Sequence, residues 1–412
     1  MTNSFAAASA YPGRPAVDAP FRSCAGIARV TVFSDPSAAR ESWKELEACA
    51  PASAYQTQAW LLPWLTTIGR ARNIRPLVSV AYDASGEPIG LLPLGVMNRG
   101  PLRLAEFPGG KDANFTFGLF RPGISFAADE LRHWLQETAR QAPERIDLLA
   151  LVNQPESWNG TANPLRALGG QAAPVQGYRT ALERDAEAFL ISRTTGEARK
   201  KMRAKERRLA AIGKVSLVTA QDADTARQIL QAFGEQKARR MQEMGIRNCF
   251  ADLAAEAFLE QGALDFAAQG KGGIELYAMK LDERIIATFG GATHQGRFSG
   301  MFNSFDLDPA LTRNSPGELL LSWLIQTKCS AGLHTFDLGV GAARYKETWC
   351  DTQEPLFDLY VPLSAAGWAL YAVKAGKRQL KRAIKDSPLA WRLVERLRKA
   401  RANATKSRGP SD

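Results

Sequence analysis

The sequence predicts an α+β protein built as two similar lobes, each a mixed sheet flanked by helices, followed by a basic helical tail. Three observations carry that expectation. The second half runs strand, helix, helix, a three-strand antiparallel meander, helix and strand, an order that suits layered α+β designs and not a doubly wound parallel sheet. The first half shows a vaguer version of the same order, as an internal duplication would. Hydrophobic residues are 45% and charged residues 23% of 412, enough to fill two cores and too apolar for wholesale disorder.

In chain order, residues 1–24 lack a charged start and a continuous apolar stretch, and they read as a flexible lead and not as a signal peptide. Residues 27–33 (IARVTVF) suit a strand, and Asp35-Pro36 opens a helix over 37–49. The apolar run 56–68 is helical in spite of Pro63. A hairpin follows, with arms 77–82 and 88–96 around turn residues 83–86. A strand at 102–107 leads into the Gly-rich loop PGGKDANF (108–115), then a helix at 128–141 and a buried strand at 146–152 (IDLLALV). The Asn-, Gly- and Pro-rich stretch 155–177 leads to a junction near 179–184, giving lobes over 25–183 and 184–362. The second lobe holds a basic helix at 197–212 stopped by Gly213, a strand at 214–218, and helices at 222–244 and 252–269. The meander takes 274–281, 285–294 and 297–304, followed by a helix at 316–331 and strands at 335–338 and 355–361. Residues 363–412 form the basic tail.

The net charge is +11. The excess sits in two segments, 193–214 and 371–412, on an otherwise mildly acidic body. A pI near 9.5 therefore describes those segments and not the whole surface. Cys24, Cys49, Cys249, Cys329 and Cys350 form no CxxC pair, and His133, His294 and His334 lie far apart. That spacing argues against a disulfide scaffold and against a Cys/His metal site, so no metal is expected and the cytoplasm is the default compartment. No apolar run approaches the roughly 18 residues that span a bilayer.

Two motifs stand out. In Arg313-Asn314-Ser315-Pro316-Gly317-Glu318, Ser315 suits a helix N-cap, Pro316 the first helical position, and Glu318 closes a capping box. The same helix start offers N–H groups and a positive dipole end to a pyrophosphate, with Arg313 adding charge and Glu318 opposing it. In the second motif, Phe336 to Lys346, a strand ends at Leu338, glycines turn the chain, and Arg344, Tyr345 and Lys346 emerge. The third glycine of a dinucleotide fingerprint is absent, since Arg344 holds that position.

These motifs, in this order, resemble the BioF2-like acetyltransferase domain of the GNAT superfamily, found in CelD/BcsL-type proteins of bacterial cellulose and exopolysaccharide synthesis. The residues concerned are Ser315-Pro316-Gly317, the Asp337-x-Gly339-x-Gly341 strand end and the Tyr345-Lys346 pair, with KKMRAKERRLAAIG and FGEQKARRMQEMG upstream. The likeness covers roughly residues 190–349 and implies tandem GNAT-like lobes. It also implies an acyl-CoA co-substrate, acetyl-CoA or another, lying between two splayed strands, here 297–304 and 335–338. Its pyrophosphate would meet the helix start at Arg313, Asn314, Ser315 and Gly317. The amides of Met301, Phe302 and Asn303 would polarise the acyl carbonyl. Tyr345 would protonate the leaving thiolate, unless its ring merely packs at a sheet edge. Asp337 and His294 are the candidates for general base, each with a structural reading beside it. Arg239 and Lys346 would meet the acceptor, with Lys237 and Arg240 on the same helix, which otherwise forms a solvated face.

The superfamily signature at the helix start is Arg/Gln-x-x-Gly-x-Gly/Ala, whereas this chain has Pro316 and Glu318 at the glycine positions. That departure leaves a second donor open, aminoacyl-tRNA, as in the related Fem-type aminoacyltransferases, with the basic segment 193–214 on the RNA. The resemblance implies an amine or hydroxyl acceptor, on a sugar or polysaccharide precursor. The tail suits an anionic membrane surface or a polysaccharide synthase, and a non-catalytic accessory role is the third reading.

Overall fold

The computed structural model describes residues 26–246, 248 and 250–387. The lead at 1–24, most of the tail beyond Ser387, Cys24 and Cys249 lie outside the described residues.

The first half contributes β1 (Arg29–Phe33), α1 (Arg40–Cys49), α2 (Gln58–Trp64), β2 (Arg75–Tyr82), β3 (Pro88–Arg99), β4 (Leu102–Glu106), α3 (Ala128–Gln141), β5 (Leu148–Pro155) and β6 (Gly177–Ala181). The second contributes α4 (Ala186–Arg193), α5 (Gly196–Ala210), β7 (Val215–Thr219), α6 (Ala223–Glu243), α7 (Leu253–Gln269), β8 (Glu275–Leu281), β9 (Arg284–His294), β10 (Arg297–Phe305), α8 (Pro316–Ser330), β11 (Thr335–Val340), α9 (Arg344–Trp349), β12 (Leu356–Pro362) and α10 (Ala365–Asp386). The expected α+β class and nearly every expected element are present.

Local chemistry explains the boundaries. In α3, Glu130 accepts the N–H of Ala127 at 2.8 Å, while Leu131, Trp134, Leu135 and Thr138 form one buried stripe. Thr57 caps α2. Pro63 removes an N–H inside that helix, and the following turn, Leu65–Gly69, widens to π geometry. The tail helix α10 is docked and not free. Lys374 pairs with Glu106 at 2.6 Å, and Arg378 reaches Asp358 and Asn153.

Each half builds the same sheet. Four antiparallel strands, β1 to β4 and β7 to β10, are each followed by a parallel neighbour, β5 or β11. The next strand comes from the other half: β12 pairs with β5 in the first sheet, and β6 pairs with β11 in the second. The expected boundary at 183/184 is therefore crossed twice by strand pairing. Strand β6 had no periodic apolar pattern to betray it, because its residues are ordered by their partners. The largest core cluster joins both halves, with Trp60, Trp64 and Phe115 packing into one body with Phe233, Phe258 and Phe302.

Candidate active site

The site grows from the parallel pair of the second sheet. Strands β10 and β11 are in register over Arg297/Thr335, Phe298/Phe336 and Ser299/Asp337. Past that point β10 continues to Phe305 and β11 only to Val340, and the two strands diverge. Opposite β9, Gly290 faces Phe302 and Gly291 faces Gly300, so Met301 is the extra residue of a β-bulge on the open flank. Such a bulge re-aims the local backbone groups. Phe302 points into the core against Phe233, ring centroids 4.6 Å apart, so its candidate contribution is limited to its amide.

An ionic knot closes the apex. Arg297 Nε donates to Asp337 Oδ2 at 2.8 Å, Ser299 Oγ donates to the same oxygen at 2.6 Å, and the Gly339 N–H donates to Oδ1 at 3.0 Å. The guanidinium also binds Glu354 through two nitrogens, at 2.9 and 2.6 Å, and lies 3.6 Å from the centroid of Trp158. Both oxygens of Asp337 are thus engaged and the residue is fully buried. Burial pushes its carboxyl up, and the neighbouring guanidinium opposes that shift. It holds the apex and does not face the opening, which corrects its candidacy as a mobile base. His294 faces Arg297 at the hairpin end of β9, the opposite end of β10 from the bulge. Its imidazole pKa is lowered by burial, and its Nε2 has no hydrogen-bond partner among the described residues.

A residue from the first half spans the strands just beyond the apex. Asn114 Nδ2 donates to the Gly300 carbonyl at 3.1 Å and to the Tyr55 hydroxyl at 2.7 Å, and its Oδ1 accepts the Val340 N–H at 3.3 Å. It occupies the space that a Cβ on Gly339 would need, 2.3 Å from the ideal position, and Gly339 has φ +72°. The Gly-rich loop was visible in the sequence; that its Asn114 wedges the other lobe was not.

Tyr345, on α9, sits at the mouth and is about a third exposed, at 37%. Burial of its ring raises the phenol pKa, and the Asn303 side chain within hydrogen-bonding reach pulls it back. Lys237 Nζ donates to the Asn303 carbonyl at 3.3 Å. The Arg240 guanidinium lies 4.9 Å from the Phe305 ring centroid. Arg239 instead lines a separate surface depression with Glu283, Arg284 and Asp306, so Arg240 and Lys237 replace it beside Tyr345. Lys346 is buried, donates to the Val340 carbonyl at 2.9 Å, and has its ammonium pKa lowered by burial to about 8. Its bond to the strand end puts its charge on the backbone. Cys350 is a thiol pushed up to about 12 by burial, which suits no nucleophile.

The helix start differs from expectation. Ser315 adopts a left-handed conformation, φ 50° and ψ 57°, and its side chain caps nothing. Glu318 closes no capping box: it accepts from Lys205 Nζ at 2.6 Å. The Glu318 and Leu319 amides both turn back on the Ser315 carbonyl, so this turn presents fewer donors than expected. Asn314 is fully buried and accepts from Arg208 Nε at 3.0 Å. Arg313 is exposed beside it. A Cβ on Gly317 would sit 3.3 Å from Phe305, which places the helix start over the end of β10. Lys205 and Arg208 of the basic helix α5 are thus brought to this start. Sequence spacing alone had no means of pairing them with residues more than a hundred positions away.

Among the described residues, no cluster of His, Cys, Asp and Glu suits a metal ion, and no helix is long and apolar enough to cross a membrane.

Comparison with known proteins agrees with this geometry. Residues 196–347 match the family described as "Acetyltransferase (GNAT) domain". No curated protein matches the sequence. Among solved structures, FemX shares 12% identity and a TM-score of 0.56, covering 83% of this chain and 99% of its own. A conserved protein of unknown function from Bacteroides thetaiotaomicron shares 9% identity and a TM-score of 0.51, over 80% of this chain and 99% of its own. A tandem GNAT protein from the clavulanic acid biosynthesis pathway covers 82% of this chain and 99% of its own at 12% identity, with a TM-score of 0.46. Residues 196–347 thus match an acetyltransferase (GNAT) domain family, and the chain shares the fold of FemX.

Proposed function

We propose that the protein is an acyltransferase that moves an acetyl or other acyl group from acyl-CoA to an amine or hydroxyl. One observation carries this reading: β10 and β11 are bonded over only three residue pairs and then part, with Tyr345 facing Asn303 across the gap. A thioester arm lying in such a gap would meet the bulged backbone at Met301. Its phosphates would lie toward Arg313 and the Gly317 amide, with Arg208 and Lys205 behind them. The phenol of Tyr345, kept protonated by its raised pKa, would deliver a proton to the departing thiolate as the acyl group passes to the acceptor. Entry of the donor requires Tyr345 to move off Asn303.

The test is turnover of acetyl-CoA with release of free thiol, against a panel of amino and hydroxyl acceptors. Tyr345→Phe is expected to cut turnover on the order of 10²-fold, the low end for a general acid, with donor affinity within about twofold. Unchanged turnover would assign the proton to another group, and absence of any CoA binding at millimolar ligand would remove the CoA reading.

A second reading is supported by the likeness to FemX over nearly its whole length and by the glycines absent from the helix start: an aminoacyl-tRNA donor, with α5 on the RNA. Steeply salt-dependent tRNA binding, lost on reversing the charges of Arg203 and Arg207, would favour it. The saccharide acceptor, and a role in exopolysaccharide synthesis at a membrane-bound synthase, rest on the family resemblance alone.

A further inference from the structure

A cavity of about 870 Å³ lies elsewhere, between the two halves. Its volume is within the range of small-molecule sites. Ile74, Met97, Phe107 and Pro108 give it an apolar wall, and Asn248 and Asp252 close it from the second half.

Its charges are uneven in a way that selects a ligand. The three carboxylates are committed. Glu106 holds Lys374 at 2.6 Å, Asp112 accepts from the Trp64 indole at 3.0 Å and from Arg72 at 3.3 Å, and Asp252 caps α7 through the Ala254 amide at 3.0 Å. Among the described residues, Arg99 and Lys111 have no ion pair or side-chain hydrogen bond, and both are exposed at the rim. Lys374 offsets Glu106, and the surplus at the rim is therefore positive.

The wall also leads to the site. The loop that supplies Pro108, Gly110, Lys111 and Asp112 to the cavity supplies, two residues later, the Asn114 that spans β10 and β11. A ligand held by Lys111 is then three residues from the wedge of the open strand pair.

We infer that this cavity is the acceptor pocket and that it takes a small molecule bearing a phosphate or carboxylate, the anion on Arg99 and Lys111 and the organic part on the apolar wall. The acceptor role rests on the acyl-transfer reading; the anion pocket does not.

Phenyl phosphate is the probe, titrated calorimetrically into the full chain, with inorganic phosphate and benzyl alcohol as its two halves. Phenyl phosphate is expected to bind at least tenfold tighter than either half. The R99E/K111E double variant, altered at two exposed positions, is expected to lose at least tenfold of that affinity while its circular dichroism stays unchanged. Hydrogen exchange across residues 108–114 should slow on binding. Affinity no better than that of benzyl alcohol, or undiminished in the double variant, would overturn the pocket. Saturating CoA separates the two proposals. Unchanged phenyl phosphate affinity in its presence supports a distinct pocket, whereas displacement would put the anion at the donor site and overturn it. If CoA itself fails to bind while phenyl phosphate still needs Arg99 and Lys111, the donor reading and the acceptor label fall and the anion pocket stands.

Discussion

The two parallel strand pairs, one in each sheet, start alike and end differently. In the first, Leu104/Leu148, Ala105/Leu149 and Glu106/Ala150 face each other, and the small apolar cluster of Leu104, Leu148 and Ala150 seals the pair. Strand β4 stops there, and the chain leaves through the Gly-rich loop. In the second, the matching positions are Arg297/Thr335, Phe298/Phe336 and Ser299/Asp337, and β10 runs on past the junction. One duplicated frame thus makes a closed seam from leucines and an open fork from an ion pair. Apolar side chains gain by zipping together, whereas a buried guanidinium and carboxylate need fixed partners and hold their strands at a set geometry. The loop freed by the closed seam then supplies Asn114 to the open one.

The largest effect that would break this comparison is loss of the knot. Arg297→Met takes the guanidinium from buried Asp337 and leaves Glu354 its pair with Arg179, and it should cost about 3–5 kcal/mol of stability in chemical denaturation. Leu148→Ala in the sealed seam should cost about 2–5 kcal/mol, with no change in donor binding. A small effect for the first, beside a large one for the second, would mean that the fork is held by packing alone.

Asn114→Ala leaves the Gly300 carbonyl and the Val340 amide unpaired, which should cost about 1–3 kcal/mol and speed hydrogen exchange at Val340. Gly339→Ala should be comparably harmful, because its φ of +72° and the Asn114 amide both exclude a methyl group.

Lys346 gives a pH test of modest size. Its pKa is about 8 in the folded protein against an ordinary 10.5, so the unfolded chain binds more protons between these values. Stability should therefore rise as pH increases from about 8 toward 10.5, as the cost of holding the buried ammonium is relieved. Lys346→Met should flatten that rise. The smallest effect belongs to Lys205→Ala, whose partly exposed pair with Glu318 should contribute under about 1 kcal/mol, while weakening any anion at the helix start.

Much of the fold was legible because periodic apolar patterns and turn residues are local. Strands β2 and β8 to β10 and helices α3, α6 and α7 announced themselves within a residue or two, and β3 began where expected but ran three residues longer. Strand β6 and helix α9 did not, since each is short and owes its order to partners distant in sequence. In the site, the structure brings the Tyr345 phenol to the Asn303 side chain. Ser315 was misread because its preceding turn drives it into the left-handed region, where its hydroxyl cannot reach the helix amides. Asp337 was read as a possible base because a strand-end carboxylate looks the same in sequence whether it is free or locked to an arginine forty residues away. Asn114, Lys205 and Arg208 were missed because their partners lie on the other lobe or beyond the meander.

Hydrogen exchange with and without saturating acetyl-CoA tests the central claim most directly. The account predicts slowed exchange at residues 300–305 and 338–341, the two arms of the open fork, and none at 104–106 and 148–150 in the sealed seam. Equal protection of both pairs, or none at the fork while acetyl-CoA is bound, would contradict it.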